Sequence, residues 1–248
     1  MISKNLIKLI HSLEQKKGRM QERLFVAEGP KAVGDLMRTA EPVELLATRQ
    51  WLDAHPEAKA TEATPDELRR ASLLQHPQQV IGLFPLPEER EANPKAAANG
   101  LCIALDGVQD PGNVGTIIRV ADWFGIGDIV CSHDTADTYN PKVVQATMGS
   151  IARVRVCHAN LPELFGQCPD GTHIYGTLLD GNDIYAEPLQ QCGYIVMGNE
   201  GRGISSEVRQ CITDRLLVPC FASTCGADSL NVAIATAVVC SEFRRRSL

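Results

Sequence analysis

The chain has 248 residues, 44% of them hydrophobic and 22% charged, with a formal net charge of −6. That is enough for one large or two ordinary globular domains, and it excludes an intrinsically disordered chain. The longest apolar run, Val232 to Cys240, is interrupted by Thr236 and small alanines and falls short of the roughly 20 residues a membrane span needs. Residues 1–19 interleave Lys4, Lys8, Lys16 and Lys17 with Leu and Ile, without a sustained apolar core, so no signal peptide and a cytoplasmic location are expected. Nine cysteines with no CxxC pair argue against a disulfide framework and a zinc site, leaving reduced, mostly buried thiols and no metal.

Helical spacing of Leu6, Ile7, Ile10 and Leu13 predicts a helix over residues 3–13, with Gly18 as a break. Residues 24–27 read as a strand, 30–38 as a helix opened by Pro30, and 43–48 as a second strand. Thr64-Pro65-Asp66-Glu67 is a capping-box start with Pro at the first helical position, predicting a helix over 65–73 before a strand at 80–84. These elements make a small α/β unit, residues 1–86. Residues 87–99 are rich in Pro, charge and small side chains and read as a linker. From residue 100 to 248 short apolar strands alternate with helices, which predicts a mostly parallel sheet covered on both faces. Ligands in such sheets sit outside the carboxyl ends of the strands.

Charge is unevenly placed. Residues 1–38 carry eight Lys/Arg against four Asp/Glu, although the chain as a whole is acidic. Lys16, Lys17, Arg19 and Arg23, with Arg244 to Arg246, offer a local positive surface for nucleic acid, or simply a solvated face.

Three segments concentrate polar chemistry. Asp106 to Arg119, DGVQDPGNVGTIIR, follows the strand 101–105 and opens a helix; Asn113 alone reads as an N-cap, while Arg119 lies among Ile117, Ile118 and Val120, where a charge needs a partner or an anion. Ile195 to Ser205, IVMGNEGRGIS, ends a strand in a turn with Gly198, Gly201 and Gly203 around Glu200, and a short helix follows. Such a turn lets backbone approach a ligand, or serves conformation alone. Val218 to Val239 ends a strand at Pro219 and opens an alanine-rich helix at Ser229-Leu230-Asn231, where Ser229 reads either as a cap or as part of a pocket. Cys225, inside that segment, reads as packing or loop.

The three segments, in this order, resemble the three motifs of the SpoU (TrmH) branch of the SPOUT RNA ribose 2′-O-methyltransferases, over residues 101–246. Residues 1–84 resemble the small α/β, ribosomal-protein-like substrate-binding domain that many members carry. The resemblance implies a knotted α/β domain working as a homodimer, with S-adenosylmethionine bent into the knot. It implies cofactor contacts at Thr177, Gly198, Gly203, Val218 and Leu230, and a polar active-site set of Asn113, Arg119, Glu200, Ser229 and Asn231. The loop 220–228 is longer than the usual family form. The acceptor implied is RNA, with Lys16, Lys17, Arg19 and Arg23 as further contacts and ribosomal RNA favoured over transfer RNA. Arg119 is expected to hold a phosphate and stabilise the developing alkoxide, since a guanidinium does not give up its proton. An inactive RNA-binding relative is the rival reading. A dinucleotide-dependent oxidoreductase ranks last, because no early GxGxxG with an acid about 20 residues on is present.

Overall fold

The computed structural model describes residues 2–222 and 229–246. The elements in chain order are α1 (Lys4–Ser12), α2 (Lys16–Glu22), β1 (Leu24–Glu28), α3 (Pro30–Leu36), β2 (Glu44–Ala47), α4 (Arg49–Ala54), β3 (Thr61–Glu62), α5 (Pro65–Ala71) and β4 (Val80–Pro85). They continue with β5 (Leu101–Asp106), α6 (Pro111–Trp123), β6 (Asp128–Cys131), α7 (Pro141–Ala146), a 3₁₀ turn at Ser150–Ala152, β7 (Arg155–His158), α8 (Leu161–Gly166), β8 (Ile174–Asp183), β9 (Gly193–Gly198), α9 (Ser206–Arg209), β10 (Asp214–Leu217) and α10 (Val232–Arg245). Two compact units result: residues 1–88 with 137–152, and residues 89–136 with 153–248. No helix among the described residues is long and apolar enough to cross a membrane.

In the first unit the strand order is β1-β4-β2-β3, with β4 antiparallel to both neighbours and β2 parallel to β3. Strand side chains alternate between faces, and the apolar residues follow that period. Phe25, Ala27, Leu45, Ala47, Val80 and Phe84 join one core with Val33, Leu36 and Trp51, whereas Val26, Leu46, Ile81 and Leu83 join another with Ile10, Leu13, Leu68 and Ala71. Both faces of this sheet are therefore covered by helices. Val144 and Ile151 complete the first core, so residues 137–152, read from the sequence within the span 100–248, pack with the N-terminal unit. The capping box at Thr64 and Glu67 forms as its sequence dictates.

Several sequence expectations change here for physical reasons. Gly18 does not break a helix; it lies inside α2, and a Cβ there would collide with the Ser12 carbonyl, so glycine is what lets α1 and α2 meet closely. Arg19, expected on an RNA-facing surface, is 2% exposed. Its Nη1 donates to the carbonyls of Leu13 at 2.7 Å and Glu14 at 2.8 Å, and its Nη2 meets Asp137 Oδ2 at 2.5 Å. A charge so placed holds three chain segments together and is not available to a ligand. Lys16, Lys17 and Arg23 are exposed.

The second unit carries a six-stranded parallel sheet ordered β10-β8-β9-β5-β6-β7. The central strands β5 and β9 are almost wholly buried along LCIALD and GYIVM, the continuous apolar signature of a strand covered on both faces. One face packs α8 and α9 through Leu161, Leu164, Phe165 and Val208 against Cys102, Ala104, Tyr194 and Val196. On the other, α6 packs against α10, and Tyr175 meets Phe243 edge to face at 4.9 Å. The stretch 87–99 is less idle than a linker: Ala97 is buried in this core, and the N–H of Gly193 donates to the Ala97 carbonyl at 3.0 Å. The chain path that a knot requires includes residues 223–228 and so lies outside the described residues, as does Cys225.

The C-terminal arginines, candidates for a basic surface, instead fasten α10. Arg244 donates to the carbonyls of Phe124 and Gly125 at 2.8 and 3.2 Å, and Arg246 to those of Ile184 and Tyr185 at 3.0 and 2.8 Å. Buried Glu242 accepts from Arg245 at 2.8 Å and from Arg246 at 2.7 Å, and the Arg245 hydrogen bond is the main reason its carboxyl is pulled down from 4.5 to about 2. A depressed folded-state value contributes stability that is present above the unfolded-state value and is lost as pH falls through the folded one. Denaturant unfolding of wild type and Glu242→Gln should therefore differ most near pH 6 and converge as pH falls toward 2.

Candidate active site

Strands β5 and β9 are neighbours in register, with Asp106 opposite Gly198, so the loops leaving their carboxyl ends lie side by side. The β5 loop turns into α6. Its cap is Asp110, whose Oδ1 accepts from the N–H of Asn113 at 2.8 Å, and not Asn113 itself. Because Asp110 satisfies the helix start, the Asn113 carboxamide is free to look outward.

The β9 loop closes on itself. Asn199 and Gly203 exchange backbone hydrogen bonds at 3.0 and 2.9 Å, Gly203 takes φ +70°, and a Cβ on Gly198 would collide with the Gly203 carbonyl carbon. Only glycine fits the first position, and glycine is favoured at the second. Asn199 braces the turn internally, accepting from the N–H groups of Gly201 and Arg202, and externally, donating to the Gly107 carbonyl at 2.7 Å. Buried Asp106 takes the N–H of Ser205 at 2.6 Å, securing the start of α9. The sequence reading missed Asn199 and Asp106; an Asn inside a glycine turn and an Asp ending an apolar strand were the available signals.

The turn presents Glu200 to the start of α6. Its Oε1 accepts from Asn113 Nδ2 at 2.9 Å, and the N–H groups of Gln109 and Asp110 point at the carboxylate from 3.4 Å. Partial burial pushes this carboxyl up, but the hydrogen bonds from Asn113 and the two backbone groups outweigh it and hold Glu200 below the usual range. It is a carboxylate throughout the neutral range. Asn231 completes the set: its Nδ2 donates to Asn113 Oδ1 at 3.0 Å while its Oδ1 caps α10, accepting from Ala233 at 3.0 Å and Ile234 at 3.3 Å. Asn231, not Ser229, is thus the cap of the last helix. Every atom of the Asn113 amide has one assigned partner, which fixes its orientation.

Two members of the expected polar set stand apart. Ser229 is exposed and makes no hydrogen bond with a described residue. Arg119 is exposed on α6 and likewise has no hydrogen-bond or ion-pair partner among the described residues, so the apolar neighbours that made its charge look costly face the other way. It shares its face with Thr116 and with Trp123, which is 85% exposed.

Of the expected cofactor residues, Gly198 ends β9 and Gly203 closes the turn after it. Pairing of β8 with β9 stops at Gly176, and residues 177–181 arch out opposite the step between Arg215 and Leu216. Thr177 opens that arch, its Oγ1 donating to the Val196 carbonyl at 2.9 Å; Val218 follows β10, and Leu230 leads into α10. Leu179, Phe221 and Leu230 are 74%, 84% and 52% exposed. Backbone groups released from sheet pairing, with apolar side chains beside them and the Glu200 carboxylate in the adjacent loop, suit a ligand that combines a flat base with a positive charge. S-adenosylmethionine has that chemistry, and the residues present fit it. Two cavities of about 420 and 340 Å³ lie elsewhere, around Met37, Pro42 and Lys59 and around Phe165, Pro169 and Cys211.

The profile of the SpoU rRNA Methylase family matches residues 100–241, and that of the MRM3-like substrate binding domain matches residues 4–82. The chain belongs to the SpoU rRNA methylase family. Among its relatives is the 23S rRNA (guanosine(2553)-2′-O)-methyltransferase of Bacillus subtilis (strain 168), 31% identical over 94% of this chain and 93% of that one. An RNA methyltransferase of the TrmH family from Porphyromonas gingivalis superposes with a TM-score of 0.87 at 43% identity, covering 99% of both chains. An AdoMet-bound rRNA methyltransferase from Sinorhizobium meliloti superposes with a TM-score of 0.85 at 30% identity, covering 100% of this chain and 97% of that one. The six-stranded parallel sheet is thus that of a SPOUT RNA methyltransferase, preceded by a substrate-binding domain.

The SpoU-family site yields a sharp test. Asn231→Asp keeps an oxygen to cap α10 but replaces the amide that donates to Asn113. Its melting temperature should stay near that of wild type while methyl transfer to RNA falls about tenfold or more; equal activity would show that the Asn231–Asn113 bond has no catalytic value.

Proposed function

We propose that this SpoU-family enzyme transfers the methyl group of S-adenosylmethionine to a ribose 2′-hydroxyl of ribosomal RNA in the cytoplasm. The hydrogen-bonded line Glu200–Asn113–Asn231, drawn from three separate loops at one end of the sheet, carries the reading. The choice of ribosomal RNA follows relatives named for 23S rRNA, which align over nearly the whole chain in one case and over about three fifths of it in another.

Bound S-adenosylmethionine supplies an electrophilic methyl on a sulfonium, and this chain positions the acceptor. Glu200 Oε1 is engaged by Asn113, which leaves Oε2 facing the weak 3.4 Å donor Gln109 and able to accept from the ribose hydroxyl. An ionised acceptor with a fixed direction orients that hydroxyl and withdraws its proton density as the oxygen grows nucleophilic. Arg119 stays protonated, holds a phosphate and stabilises the negative charge gathering on the oxygen, with Asn113 and Ser229 orienting the ribose.

We extend the proposal to a homodimer through the catalytic domain. Arg119 shares its face of α6 with Trp123, 85% exposed, and the neighbouring helix α10 exposes Ile234 at 54%. A tryptophan buries about 150–250 Å² when covered, and a patch of this kind marks an interaction surface. A second copy seated there would desolvate Arg119, strengthening its pull on an anion. In the first unit, exposed Lys16, Lys17 and Arg23 supply the RNA contacts that Arg19 does not.

Two outcomes check this. Arg119→Lys keeps the charge and loses the planar fork, so methyl transfer should fall on the order of 10²-fold with S-adenosylmethionine affinity unchanged by calorimetry; a wild-type rate would remove the fork from the mechanism. Trp123→Glu should sediment as a monomer at concentrations where wild type is a dimer, with methylation lost in parallel. A wild-type protein that sediments as a monomer ends the dimer reading.

A further inference from the structure

The glycine turn carries two charged side chains that reach different ways. Glu200 meets the start of α6, whereas Arg202 extends toward the loop after β6, its Nη2 3.9 Å from Asp134 Oδ2. Both partners are well exposed, at 73% and 57%, and a solvated ion pair at that spacing contributes little to stability. Its supports are nevertheless elaborate. Asn199 fixes the N–H of Arg202 at 3.0 Å and ties the turn to the Gly107 carbonyl at 2.7 Å. On the other side Ser132 Oγ donates to Asp134 Oδ1 at 2.6 Å while accepting from the N–H of Gly107 at 2.8 Å. Gly107 takes φ +69°, and a Cβ there would lie 2.9 Å from Asp134 Oδ2. Loops from the carboxyl ends of β5, β6 and β9 are cross-tied through one glycine to hold an arginine that the fold does not need.

We infer that Arg202 is a phosphate-binding residue for the RNA substrate, with Asp134 positioning its guanidinium until a phosphate displaces the carboxylate. The surrounding loops present Asp110, Glu200 and Asp134 to a polyanion, so a cation at this edge offsets a repulsion the site would otherwise impose. A ribose is flanked by phosphates on both sides. With its 2′-hydroxyl at Asn113 and Glu200 and one phosphate assigned to Arg119, the other flank still lacks a counter-charge, and a guanidinium binds phosphate through two parallel hydrogen bonds. The assignment rests on the ribose placement proposed above.

The test uses full-length enzyme and ribosomal RNA from cells lacking the protein. Arg202→Ala should raise the Kd and KM for that RNA about tenfold, lower the slope of log K against log salt by about one, and leave kcat and S-adenosylmethionine affinity unchanged. Arg202→Lys should keep the slope and recover part of the affinity. Asp134→Asn, which removes the competing charge, should tighten RNA binding about two- to threefold. An unchanged Kd and slope in Arg202→Ala overturns the assignment, as does an Asp134→Asn variant that binds RNA as poorly as Arg202→Ala. Asn113→Ala separates the two ways of failing: if it abolishes methylation while Arg202→Ala binds normally, only the phosphate role is wrong, and if it methylates at the wild-type rate, the ribose placement is wrong.

Discussion

Three loops of the second unit meet at one small object, the carboxamide of Asn113 held between a carboxylate and a second carboxamide. An amide has distinct ends, so a donor at Oδ1 and an acceptor at Nδ2 leave it a single orientation. Each partner is itself fixed by backbone: Glu200 by the ends of two N–H groups in the β5 loop, Asn231 by capping α10. The polar line therefore reports whether three loops are in place. It also costs little to maintain, because its end groups are satisfied before any substrate arrives.

That economy follows from the sheet. Parallel strands β5 and β9 are adjacent although β9 follows β5 by some ninety residues of chain, and their register brings Asp106 level with Gly198. Loops far apart in sequence then emerge together at the carboxyl end, where the order of strands reverses direction and where ligands of such sheets bind. The last helix returns from edge strand β10 to lie on α6, which delivers Asn231 to Asn113. Arginines at its far end, clipped to the carbonyls of Phe124 and Ile184, keep that return in register.

Much of this was legible in the residues. Short apolar runs in β4, β5 and β9 and the Thr64 capping box dictate their elements locally, and those elements form. Three kinds of information were not local. Side-chain direction was one: Asn113 and Ser229 look like caps, but Asp110 and Asn231 take those positions because the cap is set by where the loop enters the helix. Burial of charge was another, since nothing in the run Lys16 to Arg23 says that Arg19 alone turns inward to meet Asp137, more than a hundred residues away. Packing of short segments was the third. Residues 137–152 read as one more turn of the alternating pattern, yet Val144 and Ile151 fill the core of the N-terminal unit. The candidate site residues were read through motif resemblance, and the structure adds what resemblance lacks: Glu200, Asn113 and Asn231 touch, whereas Arg119 and Ser229 stand clear of them.

A double-mutant cycle on single-turnover methyl transfer puts the central claim to the most direct test. Glu200→Gln, Asn231→Asp and the double variant would be compared at saturating S-adenosylmethionine. If the line through Asn113 acts as one unit, breaking it at either end forfeits most of the same rate, and the double variant loses scarcely more than the worse single one. Losses that simply multiply would mean that the two residues act independently, and that the line joining them is an incidental contact.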